Sequence, residues 1–149
     1  MRLLSPRACY VRIDIMSIST YSATASVARG TEQEPQVRPE VQLSKELVVF
    51  AGIKTPPMGR DARRRAGFLL RLLQEGEKLE MPHSKPMPRV GRACHELRIP
   101  DDERTWRIMY HVGTTEIVVL EVFKKKTSST EKATIELCRA RLKAYLAVR

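Results

Sequence analysis

Three stretches decide the fold: ACHELRI at residues 93–99, TWRIMYH at 105–111 and EIVVLEVF at 116–123, the last running into Lys124, Lys125, Lys126 and Thr127. Each alternates or runs apolar over strand length and is closed by turn residues, the pattern of a β-strand. Asp101, Asp102 and Glu103 form one turn, Gly113 and Thr114 the other. Connections this short join neighbouring antiparallel strands, so the three form a meander. In the first strand His95, Leu97 and Ile99 share a face; Cys94, Glu96 and Arg98 share the other. In the second, Trp106, Ile108, Tyr110 and Val112 alternate with Thr105, Arg107, Met109 and His111. The third is apolar on both sides, which predicts a central or covered strand.

Working outward, residues 46–50 (ELVVF) read as a short strand stopped by Gly52. Pro56 and Pro57 block a helix until about Met58. Ala62, Ala66, Leu69, Leu70 and Leu73 then recur at helical spacing, and Gly76 supplies a stop. Arg60, Arg63, Arg64 and Arg71 fall on the outer side, where a solvated helix face is the plain reading. Residues 82–91 hold Pro82, Pro86 and Pro88 and read as an irregular loop. After the lysines, Ser128 and Glu131 have capping-box spacing. Ile135, Cys138, Leu142 and Tyr145 make the apolar stripe of a last helix. The order strand, helix, three antiparallel strands, helix predicts an α+β fold. Its expected form is a small curved antiparallel sheet of about four strands with the helices packed on one face.

The chain has 149 residues, enough for one domain. Residues 45–149 are expected to form it. Residues 1–44 lack a periodic apolar face and are expected to be a disordered or spurious extension. Residues 1–30 are acid-poor and rich in Ser and Thr, traits shared with transit peptides, and Met16 could equally be the start. Residues 31–40 (TEQEPQVRPE) read as a linker. The 27 basic and 17 acidic side chains leave a net charge of +10. Five basic and four acidic ones fall in residues 1–44, so the excess belongs to the body. Such a balance suits a polyanion or an acidic protein.

Cys9, Cys94 and Cys138 are far apart, without zinc or disulfide spacing. No metal site and no cofactor are expected, and the cysteine usage fits a reducing cytoplasm. No apolar run approaches the length of a membrane span, so no membrane association is expected.

A sheet that carries arginines on one face and a lysine cluster at its end suits phosphate. A guanidinium can hold two phosphate oxygens at once, and a lysine acts as a point charge. Arg98 and Arg107 are therefore the candidates for phosphate contact. The competing reading is a cross-strand ion pair, for instance Arg107 with Glu96, worth ~0.2–1 kcal/mol. His111 shares the face of Arg107 and is the acid–base candidate. His95 shares a face with Leu97 and reads as a satisfied core histidine. Trp106 and Tyr110 lie on the packed face and read as core.

The residues together resemble a known family. The string MPHSKPMP at 81–88, then Cys94-His95-Glu96-Leu97-Arg98, Trp106-Arg107-Ile108-x-Tyr110 and Val122-Phe123-x-Lys125-Lys126-Thr127, is similar to the phage-derived, HigB-like branch of the RelE/ParE toxin superfamily. IKTPP at 53–57 and Ala66-Gly67-x-Leu69-Leu70-x-x-Leu73 match as well. The similarity covers roughly residues 47–145. It implies a RelE/ParE-like fold and a toxin of a type II toxin–antitoxin module. The expected activity is metal-independent, ribosome-dependent endoribonuclease cleavage of mRNA in the cytoplasm. The expected partners are a helix-turn-helix antitoxin and the ribosome with its mRNA, with no small-molecule cofactor. Arg98, Arg107 and His111 would be catalytic; Lys85, Arg89, Lys124, Lys125 and Lys126 would contact RNA. The alternative is a non-enzymatic inhibitor: a gyrase-binding ParE-type protein, or a degenerate one that binds only RNA or its antitoxin. The chain departs from the branch in having Glu131 after Thr130 where Pro is common, and His111 where a second basic residue often follows the tyrosine.

Overall fold

A computed structural model describes residues 10–12, 45–53, 57–102, 104–125 and 130–148. The elements are β1 (Tyr10–Arg12), β2 (Glu46–Phe50), α1 (Arg60–Gln74), β3 (Ser84–Pro86), β4 (Cys94–Asp101), β5 (Arg104–Val112), β6 (Glu116–Lys124) and α2 (Lys132–Leu146). The fold is α+β, a sheet with two helices, as the pattern predicts. The meander β4–β5–β6 is antiparallel throughout.

The sheet is larger than expected. Its order is β1-β2-β6-β5-β4-β3, six strands rather than about four. It is also mixed, because β2 runs parallel to β6, with Leu47 opposite Ile117 and Val49 opposite Val119. Both strands are buried on both faces over this stretch, so each can sit inside the sheet. One added edge is β1, antiparallel to β2. The other is β3, inside the segment expected to be an irregular loop. Pro86 is tolerable there because the outer side of an edge strand needs no amide donor. Ser84 fixes the edge from beneath, its hydroxyl lying 2.8 Å from the Tyr110 hydroxyl in the core.

The helices do not share a face. The alternation along β6 separates two cores. Ile117 and Val119 join Leu97, Ile99, Ile108 and Tyr110 under Ala62, Ala66, Leu69 and Leu73 of α1. Val118 and Leu120 join Val48, Phe50, Cys94 and Met109 under Ile135, Cys138, Leu142 and Tyr145 of α2. A strand apolar on both sides needs cover on both sides, and each helix supplies one. α1 begins at Gly59, whose amide donates to Asp101 Oδ2 at 3.1 Å; Trp106 Nε1 donates to the same oxygen at 3.0 Å. The β4–β5 turn thus supplies the cap that α1 lacks in its own sequence. Gly76, with φ of 92°, ends the helix in the left-handed region. α2 starts after Glu131 without a side-chain cap bond; Ser128 of the expected capping box lies outside the described residues.

β6 contains a bulge. Met109 is opposite Glu121 and Tyr110 opposite Val119, which leaves Leu120 as the extra residue. Leu120 packs in the α2 core, and neighbouring Glu121 pairs with Arg141 of α2 at 2.8 Å. Two successive side chains therefore face α2, and the alternation beyond them is reset.

Candidate functional site

The site lies on the α2 face of the sheet, beside the helix rather than beneath it. Arg98 and Arg107 are directly opposite each other across β4 and β5. Like charges in that position repel, so a fold gains nothing by placing them there. Arg107 is buried and Arg98 half-buried. The Nε of each, and Nη1 of Arg107, are buried without a hydrogen-bond partner among the described residues. Burial lowers the pKa of the Arg107 guanidinium; Glu96 opposes that shift and Arg98 adds to it.

One carboxylate stands beside the two cations and pairs with Arg107. Glu96, only 1% exposed, has Oε1 3.6 Å from Arg107 Nη1. That separation is an ion pair longer than a hydrogen bond. The Thr130 hydroxyl, just before α2, donates to Glu96 Oε2 at 2.5 Å. The cross-strand ion pair weighed from the sequence does form, but as a buried diagonal pair that leaves guanidinium nitrogens unpartnered.

Lys85 is opposite Glu96 on the edge strand, which puts it on the same face. Lys125, next after β6, is half-buried at the same place. Its pKa is lowered, by burial first and then by Arg107, Arg98 and Lys85, with Glu96 opposing. Lys85, Arg89, Glu96, Lys125 and Thr130 line a cavity of about 410 Å3. Five of the predicted residues, Lys85, Arg89, Arg98, Arg107 and Lys125, thus belong to one basic neighbourhood.

His111 and Lys124 do not join it. His111 is separated from Arg107 by Met109 along β5; its Nδ1 lies 3.1 Å from the Arg92 carbonyl and 3.7 Å from Cys94 Sγ. Burial raises the Cys94 thiol to about 11, so that pair is no thiolate nucleophile. Lys124 points to the opposite face, its Nζ 5.8 Å from the Trp106 ring centre. Lys126 lies outside the described residues. Sequence reasoning missed Glu96 and Thr130 as parts of the site. Alternation places Glu96 beside Arg98, a usable signal; nothing local to Thr130 says that it reaches a carboxylate 34 residues away.

Trp106 and Tyr110 are core, as expected. His95 is not a satisfied core histidine: its ring stacks on Tyr110 at 5.5 Å, and its Nδ1 is buried without a partner. It borders a larger cavity, about 700 Å3, on the α1 face, lined by Leu73, Leu79, Met81, Tyr110 and Val112 among others. None of the predicted site residues lines it. Among the described residues no three His, Cys, Asp or Glu side chains are grouped to hold a metal ion. No helix among them is long and apolar enough to cross a membrane.

A small mixed sheet with a helix on each face and a cationic pocket beside one of them defines a class of compact basic α+β proteins. Residues 57–143 match the family described as phage derived protein Gp49-like (DUF891), and the chain belongs to that family, one of RelE/ParE-like toxins. No curated protein matches the chain.

Proposed function

We propose that this chain is the toxin of a type II toxin–antitoxin module, in the HigB-like branch, and that it cleaves mRNA on the ribosome in the cytoplasm. The opposed pair Arg98 and Arg107 carries the reading. Two cross-strand guanidiniums with unpartnered nitrogens repel each other until an anion lies between them, and a phosphodiester is an anion of the right size. Cleavage by attack of a ribose 2′-hydroxyl on the adjacent phosphorus builds negative charge on the non-bridging oxygens. Two arginines can take that charge, so the route needs no metal ion. Lys125 and Lys85 would bind the flanking phosphates. Glu96, braced by Thr130, would orient Arg107 rather than touch RNA. A helix-turn-helix antitoxin covering this basic pocket would silence it.

The position of His111 favours a second reading. Apart from exposed His83, which falls opposite Arg98 at the sheet edge with its carbonyl accepting from the Arg98 amide at 2.8 Å, the described residues place no histidine beside the arginines, so the pocket lacks an evident proton-transfer pair. A protein of that kind would bind RNA, its antitoxin or an enzyme such as gyrase without cleaving RNA.

Mapping mRNA 5′ ends after induction, with and without ribosomes, tests both. The enzyme reading expects ribosome-dependent cuts that vanish with Arg98→Ala. Growth arrest without cuts, relieved by the same substitution, would leave the binding reading standing. Full toxicity of folded Arg98→Ala would remove the arginine pair from the site.

A further inference from the structure

The exposed face of α1 is a second charged surface, on the side of the sheet away from the arginine pair. Arg60, Arg63, Arg64, Arg65 and Arg71 are all exposed on this 15-residue helix, against one acidic residue, Asp61. Side chains three and four apart are neighbours on a helix. Arg60, Arg64, Phe68 and Arg71 therefore follow one another along the outer side. Arg71 is also bridged to Glu75 at 3.0 Å. Phe68 is 60% exposed in the middle of this row, the one large apolar side chain of α1 that faces solvent. Beside it is Gly67, between Arg63 and Arg64 on one turn and Arg71 on the next.

Gly67 is the independent observation. A glycine inside a helix costs about 1 kcal/mol relative to alanine. A Cβ built at Gly67 meets nothing within 4 Å, so no packing among the described residues requires a glycine there. A bare patch of helix backbone among arginines, with a ring standing beside it, leaves room for a ligand to come close.

We infer that the α1 face binds single-stranded RNA, with one base stacked on Phe68 and the neighbouring phosphates held by Arg63, Arg64 and Arg71. The inference extends the RNA reading of the sheet pocket and rests on it. Charge complementarity selects a polyanion. The ring selects a nucleic acid whose bases are unpaired, because stacking on an aromatic side chain needs a free base face. An acidic protein fits less well: one isolated ring is too little apolar surface for the buried centre of a protein interface.

The test uses the full chain and a fluorescent single-stranded RNA oligonucleotide, with binding read by anisotropy at several salt concentrations. Phe68→Ala should weaken binding at least about fivefold, since one stacked base contributes that much or more. Phe68→Trp should retain it. Arg63→Gln with Arg64→Gln should lower the salt slope by about 0.7 for each phosphate that is no longer neutralised. Gly67→Gln should weaken binding while leaving the melting temperature equal or higher, an opposition of effects that a purely structural glycine would not produce. Arg107→Lys should keep oligonucleotide binding through α1 yet lose mRNA cleavage in a parallel assay with ribosomes, where wild type cleaves. If Phe68→Ala and Gly67→Gln bind as wild type while Arg107→Lys loses cleavage, the α1 site is refuted and the sheet pocket stands. If wild type neither binds nor cleaves RNA, both are refuted. If the α1 variants keep RNA affinity but lose binding to a co-expressed acidic antitoxin, the face is a protein interface and the inference fails.

Discussion

Arg107 serves two partners at once. Its guanidinium balances buried Glu96 and also offers nitrogens that nothing in the described fold satisfies. Arg107→Ala would leave Glu96 buried without a counter-charge, at a cost on the order of 3 kcal/mol, so lost activity in that variant says little about RNA. Arg107→Lys keeps the charge and removes the planar fork. It should retain most of its stability in urea unfolding yet fail to arrest growth. Arg98 behaves differently because it has no such partner. Arg98→Ala relieves like-charge opposition across the strands, so toxicity should vanish while stability is unchanged or rises by ~0.2–1 kcal/mol. A marked loss of stability would show that Arg98 serves the fold. His95 offers a separate test. Burial of its ring lowers its pKa, and the partnerless Nδ1 disfavours a second proton. Its folded pKa lies below the unfolded value of about 6.5. The neutral ring's contribution to stability is therefore complete above that value and is lost as pH falls through the folded pKa. His95→Phe should flatten this acid limb of the stability curve, and an unchanged limb would assign it to other groups.

At the scale of elements, the bulge in β6 is where α2 is fastened. Leu120 is the extra residue, and its carbonyl accepts from Arg141 Nη1 at 2.6 Å. The same nitrogen bonds Glu121 at 2.8 Å, and the guanidinium lies 5.9 Å from the Phe50 ring centre. One side chain of α2 thus holds β6 at the bulge and covers β2 beside it. Arg141→Met keeps the length and much of the packing but strands both acceptors. The expected loss is about 1–3 kcal/mol in chemical unfolding. Lys143→Met, on the exposed side of the same helix, should stay within about 0.5 kcal/mol of wild type. Equal effects from the two would show that Arg141 is not an anchor. The fastening matters to function because Thr130, immediately before α2, reaches Glu96 in the pocket.

At the scale of the molecule, both cores are built from residues 47–145, whereas residues 1–44 contribute one described strand, β1, paired to β2 at the sheet edge. Deleting residues 1–40 should therefore leave cooperative unfolding and growth inhibition in place, because β2 keeps its parallel partner β6. A loss of about 1 kcal/mol would lower the melting temperature by roughly 4–8 °C in a domain of this size. A much larger drop would show that β1 holds β2 in position.

What the sequence determined by itself is what short-range periodicity encodes. Alternation on β4 and β5 put Arg98 and Arg107 on one face and Leu97, Ile108 and Tyr110 on the other, and the structure keeps both sets. The stripe 62, 66, 69, 73 identified the buried side of α1, and the two-sided apolar run of β6 marked the central strand. Only the tertiary structure decided how the pieces meet. The parallel pairing of β2 with β6, the strand hidden in a proline-rich segment and the division of the helices between two faces all join residues distant in the chain. So does the separation of what alternation had grouped. His111 shares the face of Arg107, yet it lies two pairings away with Met109 between, and the bulge turns Lys124 from that face and brings Lys125 onto it. A period of two fixes the side on which a residue emerges and carries no information about the distance along the strand at which a second element covers it. That distance is set by which apolar surfaces can be buried together once the chain closes, and so the pocket around Glu96 exists only after α2 has docked.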